Sequence, residues 1–445
     1  MPISQEVRKS LSLSWKEGIP ANIMIGIIDY FIVPYALFLG ASTQGIGFLV
    51  AIPHLIGSIT QLFAPRLIRK VGSRLKFVVI ASTIQALVLV PIALLALTPF
   101  SHRTWLLIGW MMFFRVLANL NSTAWGSLIS EYLPPEKRGH FLGWRSQVIG
   151  FAGLVGLAFA GLLLFFLKKE SGSLAFFVLF SVASLCRLVS SALIAQMADV
   201  PLSHYQESDF TFYQFIRRFR ESNFVKFIFF VSSVMFSAHL AAPFFSVYML
   251  RDLHFSYLYY LSVNISGVIA GLIAVPLWGK HADMIGNAKI LKAVGFIIPL
   301  VPLLWLFSEN LFYLMCVEFV AGFTWAGFNL CAANFIYDAV VPQKRVRCIG
   351  YFSLFNGVAI FLGSSLGGFL ADRLPRLWGP PLLTLFLISS FFRFASLFIL
   401  SGKFKEVRAT AHRVSGFKLF ISIVGFQPLM GLTRGWSAFP SEHEK

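Results

Sequence analysis

The sequence predicts an all-α integral membrane protein with twelve transmembrane helices in two pseudo-symmetric six-helix bundles. Three observations carry that prediction: an internal repeat, a composition unsuited to water, and a one-sided distribution of Lys and Arg. In the repeat, Glu131, Pro135, Lys137, Arg138, Gly143, Gly150, Gly156 and Gly161 recur as Asp338, Pro342, Lys344, Arg345, Gly350, Gly357, Gly363 and Gly368, each 207 positions later. Glycines, a proline, an acid and a base pair held in one register are not what an apolar composition duplicates by itself. The chain is therefore two related halves.

With 57% hydrophobic and 13% charged residues and 49 Phe, and a mean hydropathy of +0.76, the chain has too little polar surface to cover a water-soluble globule of its size. Its apolar runs are each long enough to cross a ~30 Å hydrocarbon core as a helix. The first half places them near 20–41, 44–65, 77–98, 104–130, 143–167 and 174–196. The second half follows with 225–250, 255–279, 288–307, 311–337, 350–371 and 382–402. The bundles are then 1–196 and 225–402, joined by a linker at 197–224 and followed by a basic tail at 403–445.

Placing the N-terminus in the cytoplasm puts 28 Lys and Arg on inner segments and 6 on outer loops, and leaves Arg115, Arg187 and Arg393 inside spans. Positive residues stay inside, so both termini are expected to be cytoplasmic, in a multi-pass protein of a plasma or bacterial inner membrane. The net charge of +18 would suggest nucleic-acid binding in a soluble protein. Here it is spread over alternate loops facing anionic lipid, and no nucleic-acid partner is expected.

The basic start before the first apolar run resembles a signal peptide, but that run is long and carries Asp29 and Pro34, which reads as a retained helix. Cys186, Cys316, Cys331 and Cys348 fall in spans or at a helix start and read as packing residues without disulfides. In the linker, Thr211 and Gln214 suit a capping box, and Phe212, Phe215, Ile216 and Phe219 share one face. That segment is either a helix lying on the inner surface or a solvated linker with a sticky face. The tail's apolar stretch at 419–432 is broken by Gly425 and Pro428, too short and interrupted for a thirteenth span.

The loop after the eighth span runs Gly279-Lys-His-Ala-Asp283-Met-Ile-Gly286-Asn-Ala-Lys289. Together with twelve spans and duplicated halves, it resembles the loop signature of the major facilitator superfamily over roughly residues 18–402. The first-half counterpart keeps Gly72 and bases that include Arg74, but has Arg69 where the signature has an acid. The resemblance implies that Asp283 locks the halves together on the cytoplasmic side when the cavity faces outward, with the start of the fifth span near Gly143 as its partner. It also implies that the first and fourth helices of each half line a central cavity.

An ionisable group at mid-membrane is costly unless paired or wetted, so each is a candidate site. Asp29 in the first span and Arg115 in the fourth both fall near the midplane. Either Asp29 exchanges a proton while Arg115 holds it ionised until the two separate, or the two form a static pair that fixes helix register. Glu318, nearer the outer mouth of the tenth span, is a second proton site, an outer-gate residue or a snorkelling carboxylate. Asn119 and Asn121 stand where the superfamily's fourth-span arginine motif usually has a following glycine, and either bind substrate or bond a neighbouring helix. His54 and His239 read as titrating groups or as hydrogen-bonded packing residues. Tyr30, Tyr248, Asn264, Trp325 and Asn329 are further cavity candidates. Arg187 and Arg393 nearly match in the repeat and read as structural.

Glycines at Gly150, Gly153, Gly156 and Gly161, and at Gly357, Gly363, Gly367 and Gly368, suit either a rocking interface or plain tight packing. Drug-antiporter members usually have a proline among the fifth-span glycines, and 143–167 has none. Enzyme chemistry needs clustered His, Asp or Ser; the one close pair, His281 and Asp283, is taken by the loop signature. The absence of Walker, His-Glu-x-x-His and Cys-x-x-Cys motifs excludes ATP-driven transport and metal catalysis from the reading. The expectation is a monomeric secondary transporter without a cofactor. It moves a small solute by alternating access coupled to protons, with a carrier of lipids or amphiphiles as the alternative and an enzyme or non-transporting sensor as remote readings.

Overall fold

The computed structural model describes residues 5–99, 102–133, 135–168, 171–200, 222–377 and 379–407, and every regular element among them is a helix. The linker helix expected within 197–224 and the tail beyond 407 lie outside the described residues. The first half comprises α1 (Gln5–Phe38), α2 (Thr43–Gln61), a short α3 (Ala64–Val71), α4 (Arg74–Leu94), α5 (Arg103–Tyr132), α6 (Pro135–Leu167) and α7 (Gly172–Ile194). In the second half, α8 (Asn223–His239) breaks before Pro243 and continues as α9 (Ala242–Val247) and a π-helical turn, Tyr248–Asp252. Then come α10 (Tyr257–Ile285), α11 (Asn287–Ile297), α12 (Leu300–Leu304), α13 (Leu311–Ala339), α14 (Pro342–Leu370) and α15 (Pro381–Leu400).

Short polar residues start these helices: the side chains of Ser42, Ser73, Ser171, Ser222, Ser256 and Asn310 each accept from a backbone N–H in the first turn. Such caps satisfy donors that the helix itself cannot. Counting α8 with α9, and α11 with α12, as single spans, 11 helices among the described residues are long and apolar enough to cross a bilayer. The remaining long helix, α5, has the length, and Arg115, Asn119 and Asn121 dilute its hydropathy.

Two expected boundaries move. The first helix starts at Gln5 rather than near residue 20, because Ser10, Ser14 and Glu17 are buried against other helices instead of lying in solvent. The stretch expected as a loop after the eighth span is helical through Ile285, and the turn itself reduces to Gly286, at φ +97°. Only a residue without a Cβ takes that conformation without strain.

The repeated glycines do two jobs. A Cβ on Gly156 would overlap the backbone of Ile23 in α1, and one on its counterpart Gly363 would overlap the Phe236 carbonyl in α8, so these two seat helices within a half. Gly161 meets Leu261 of α10 and Gly150 meets Leu272, while Gly368 meets Gly47 of α2 and Gly357 meets Ser58. Those four lie between halves, along the α6–α10 and α2–α14 interfaces.

The hydrophobic core divides unequally. On the side where α1 begins and α15 ends, here the terminal side, each half has its own cluster, one around Leu11, Ile68 and Leu128 and the other around Phe227, Phe335 and Phe404. Towards the opposite, far side a single cluster takes residues from both halves, including Phe31, Tyr35 and Ile46 with Phe244, Val247 and Tyr260. The halves are thus fused by apolar packing at the far side.

Terminal-side ties repeat as well. Ser73 donates to Asp199 (2.6 Å) and Arg74 to Glu131 (2.5 Å) in the first half; in the second, the Ala288 N–H donates to Glu406 (2.7 Å) and Asn287 to Asp338 (2.7 Å). Asp199 and Glu406 are also 207 positions apart. In each half, an acid beyond the last span and an acid ending the fourth span hold the start of the third. Arg74, expected at a gate, is buried inside its own half.

Candidate functional site

Asp29 of α1 accepts from Arg115 of α5 at 2.8 Å, with 43% of the Asp29 side chain and 26% of Arg115 exposed. The pair is formed by two helices that otherwise touch little, since α1 leans on α6 and α7 and α5 leans on α2 and α4. The pair is partly exposed rather than sealed, so a polar group can approach it.

Around them α5 uses its polar residues in different directions. Asn119, one turn beyond Arg115, lies against Gly57 of α2. Asn121 faces elsewhere: expected beside the cavity, it is buried and donates to Ser82 of α4 at 3.1 Å. His54 and His239 each bond the carbonyl four residues earlier through Nδ1, at 2.8 and 2.9 Å to Val50 and Met235. Both lie beside α14, where Gly357 faces the His54 carbonyl and Gly363 faces the His239 Cβ.

On the second half, Glu318 of α13 packs on Gly267 of α10 and lies within electrostatic reach of Tyr30, Tyr260 and Arg393. Asn264 donates to the Tyr260 carbonyl of its own helix at 2.8 Å. Trp325 is half-buried, edge-on to Phe328, and Asn329 one turn further is exposed. Tyr248 stands apart from the cavity expected for it: it is buried among Trp305 and Phe386 and reaches Glu309 at 3.5 Å on the far side. Tyr248 opens the π-helical turn, and its ring packs within the far-side core.

Of the expected terminal-side gate, Gly72 caps α3 at φ +79°, Gly279 and Asp283 are in α10, Gly286 is the turn and Lys289 is in α11. Asp283 is exposed, and a Cβ on Gly143 would meet nothing within 4 Å. Arg187 and Arg393 are both buried within their own halves, Arg187 on Gln85 (2.7 Å) and Arg393 on the Ile298 carbonyl (3.0 Å). No trio of His, Cys, Asp or Glu among the described residues has metal-binding geometry.

Three features escaped the sequence. Glu17, which precedes the expected first span at 20–41, accepts from Arg145 (2.9 Å) and Ser190 (3.0 Å) in the interior, with Arg145 stacked over Trp125. Tyr260 donates to the Tyr30 carbonyl across the halves at 2.6 Å. At the far mouth, Asp372 accepts from Thr43 of the other half and from Arg251 (3.4 Å) of its own. An acid in an N-terminal segment that also holds Glu6, and a tyrosine among 12, carry no local signal of such partners.

The family model described as Major Facilitator Superfamily matches residues 19–298 and 227–439. Over 98 residues, 22% of this chain, the sequence is 29% identical to the vacuolar membrane amino acid uptake transporter fnx2 of Schizosaccharomyces pombe, covering 17% of that protein. Over 101 residues, 23% of this chain, it is 32% identical to the class H tetracycline resistance protein of Pasteurella multocida, covering 25% of that protein. These matches span a quarter or less of either relative. Among solved structures, the nucleoside transporter NupG superposes with a TM-score of 0.64 at 16% identity, over 90% of this chain and 100% of that one. The D-xylose-proton symporter gives 0.68 at 14% identity, over 91% and 100%. A bacterial homolog of the human lysosomal transporter Spinster, in an inward-facing and occupied conformation, gives 0.63 at 14%, over 92% and 100%. At these identities the structural likeness is one of fold, while the family model covers most of the sequence. The chain belongs to the Major Facilitator Superfamily and is a multi-pass membrane protein of that type.

Proposed function

We propose that this protein is a secondary active transporter that carries a small solute by rocking its two halves about a midplane site, with protons coupled through Asp29. The observation that carries the proposal is the Asp29–Arg115 pair at 2.8 Å, partly exposed and bridging two helices that otherwise scarcely touch. A carboxylate so placed takes a proton only by giving up its arginine, which frees Arg115 for a substrate group or a new neighbour. Glu318, facing the same region from α13, is the second carboxylate available for protons. The packing asymmetry supports a conformation closed at the far side and separated at the terminal side. By the distribution of Lys and Arg, the terminal side is cytoplasmic, making this an inward-facing state of a cell-membrane protein. In the opposite state, Asp283 would close the terminal side.

The relatives' names mention amino acids, tetracycline, nucleosides and a sugar, so the proposal is of a small solute as a class. Its test is a thermal-shift screen of purified protein in detergent against metabolites, drugs and lipids, run on wild type and Asp29→Asn. A ligand at 100 times its dissociation constant adds about 2.7 kcal/mol. A solute whose stabilisation weakens in Asp29→Asn supports the proposal. Stabilisation by lipids alone, indifferent to Asp29, overturns it.

A further inference from the structure

Tyr30 is one residue from Asp29, and its carbonyl lacks the partner that a helix supplies. In α1 that partner would be the N–H of the residue four further on, which is Pro34, and proline has none. A carbonyl orphaned inside a bundle must find a donor or leave an acceptor unpaired. Here the donor comes from the other half: the Tyr260 hydroxyl of α10 reaches the Tyr30 oxygen at 2.6 Å. Tyr260 is 1% exposed, edge-on to Phe31 at 5.7 Å, and its oxygen is steadied by Ser246 of α9 at 3.1 Å. One half thus holds a backbone group immediately beside the carboxylate of the other.

We infer that Tyr260 is a positioning residue that links the state of the Asp29–Arg115 pair to closure of the far side, through the carbonyl that Pro34 leaves free. This rests on Asp29 being the proton-exchanging group. While Asp29 is ionised, Arg115 anchors the helical turn at 29–30 and presents the Tyr30 oxygen to Tyr260. When a proton binds the Asp29 carboxylate, Arg115 lets go, the turn is no longer anchored, and the far-side bond between halves is released with it. Other ionisable groups face this region: Arg115 from α5, His54 from α2, Glu318 from α13, His239 from α8, and the Tyr30 hydroxyl of α1 itself. Arg145 of α6 and Arg187 of α7 gather at Glu17 and its partner Ser190, about 18 Å nearer the terminal side along α1; the Cys186 thiol on α7 packs against the apolar cluster.

The test is a pulsed-EPR distance measurement between spin labels at His102→Cys and Phe307→Cys, exposed far-side positions in different halves, with the native cysteines replaced by serine. In wild type, the ratio of far-side-open to closed molecules should shift about tenfold between mildly alkaline and mildly acid buffer, within the range of coupled sites. Tyr260→Phe keeps the ring and removes the donor; it should raise the open fraction about fivefold, the effect of one net hydrogen bond, and flatten the pH response below about twofold. Pro34→Ala, which returns an N–H to the Tyr30 carbonyl without touching Tyr260, should flatten it too. A merely structural Tyr260 would raise the open fraction at every pH and leave the response intact, which overturns the inference. A wild type indifferent to pH, or an Asp29→Asn variant that still responds, overturns it by removing the proton role of Asp29 itself.

Discussion

At the scale of single residues, the membrane interior sorts charges by whether they are satisfied. Glu17 and Arg145 are 3% and 8% exposed and share bonds with Ser14 and Ser190, a closed network with no room for a ligand. Asp29 and Arg115 bond to each other at 2.8 Å and stay partly open. We therefore expect Glu17→Ala to destabilise the protein by about 3–5 kcal/mol, because it strands Arg145 as an unpaired buried charge. Thermal unfolding in detergent checks this, and replacing Arg145 by Met in the same chain should recover much of the loss. Asp29→Asn should instead leave stability near wild type, abolish accumulation driven by a pH gradient in proteoliposomes and preserve solute exchange; accumulation that survives the substitution removes Asp29 from coupling.

At the scale of elements, close approach of backbones sets which glycines can change. A Cβ on Gly322 of α13 would overlap the Gly267 carbonyl of α10, whereas one on Gly126 or Gly109 of α5 would meet nothing within 4 Å. Gly322→Val should separate α10 from α13 and lower the melting temperature sharply, while Gly126→Ala should be neutral or gain up to about 1 kcal/mol from helix propensity. Equal effects of the two would show that glycine content, not contact, governs these helices. The repeat made the first kind of glycine visible as a pattern, yet could not say which face each one serves. Gly156 and Gly161 look alike in the sequence, and only the packing reveals that the first seats α1 and the second meets the other half.

At the scale of the whole molecule, the far-side closure combines a large apolar cluster with few polar ties. The tie across the halves at Asp372 is the hydrogen bond from Thr43, and with the Asp372 side chain 55% exposed it contributes about 1 kcal/mol, roughly a fivefold shift in a two-state balance. Asp372→Asn should accordingly open the far side only slightly, read as a modest rise in labelling of a cysteine at Val247 in the shared core. A shift of a hundredfold would mean that the polar ties, not the core, keep the halves together.

The sequence alone determined the class, the halves and the polar residues worth watching, because hydropathy, charge asymmetry and a 207-residue repeat are properties of composition and spacing. It also singled out Asp29 and Arg115, since a bilayer makes any mid-span charge conspicuous. The tertiary structure decided their contact, the burial of Asn121 against Ser82 and of Tyr248 beside Trp305 and Phe386, and the burial of Glu17 ahead of the expected first span. Those outcomes depend on helix packing and on partners far along the chain, from Ser82, 39 residues from Asn121, to Arg145, 128 from Glu17. Local pattern reports what a helix is made of; which neighbour each face meets is settled only when the helices pack.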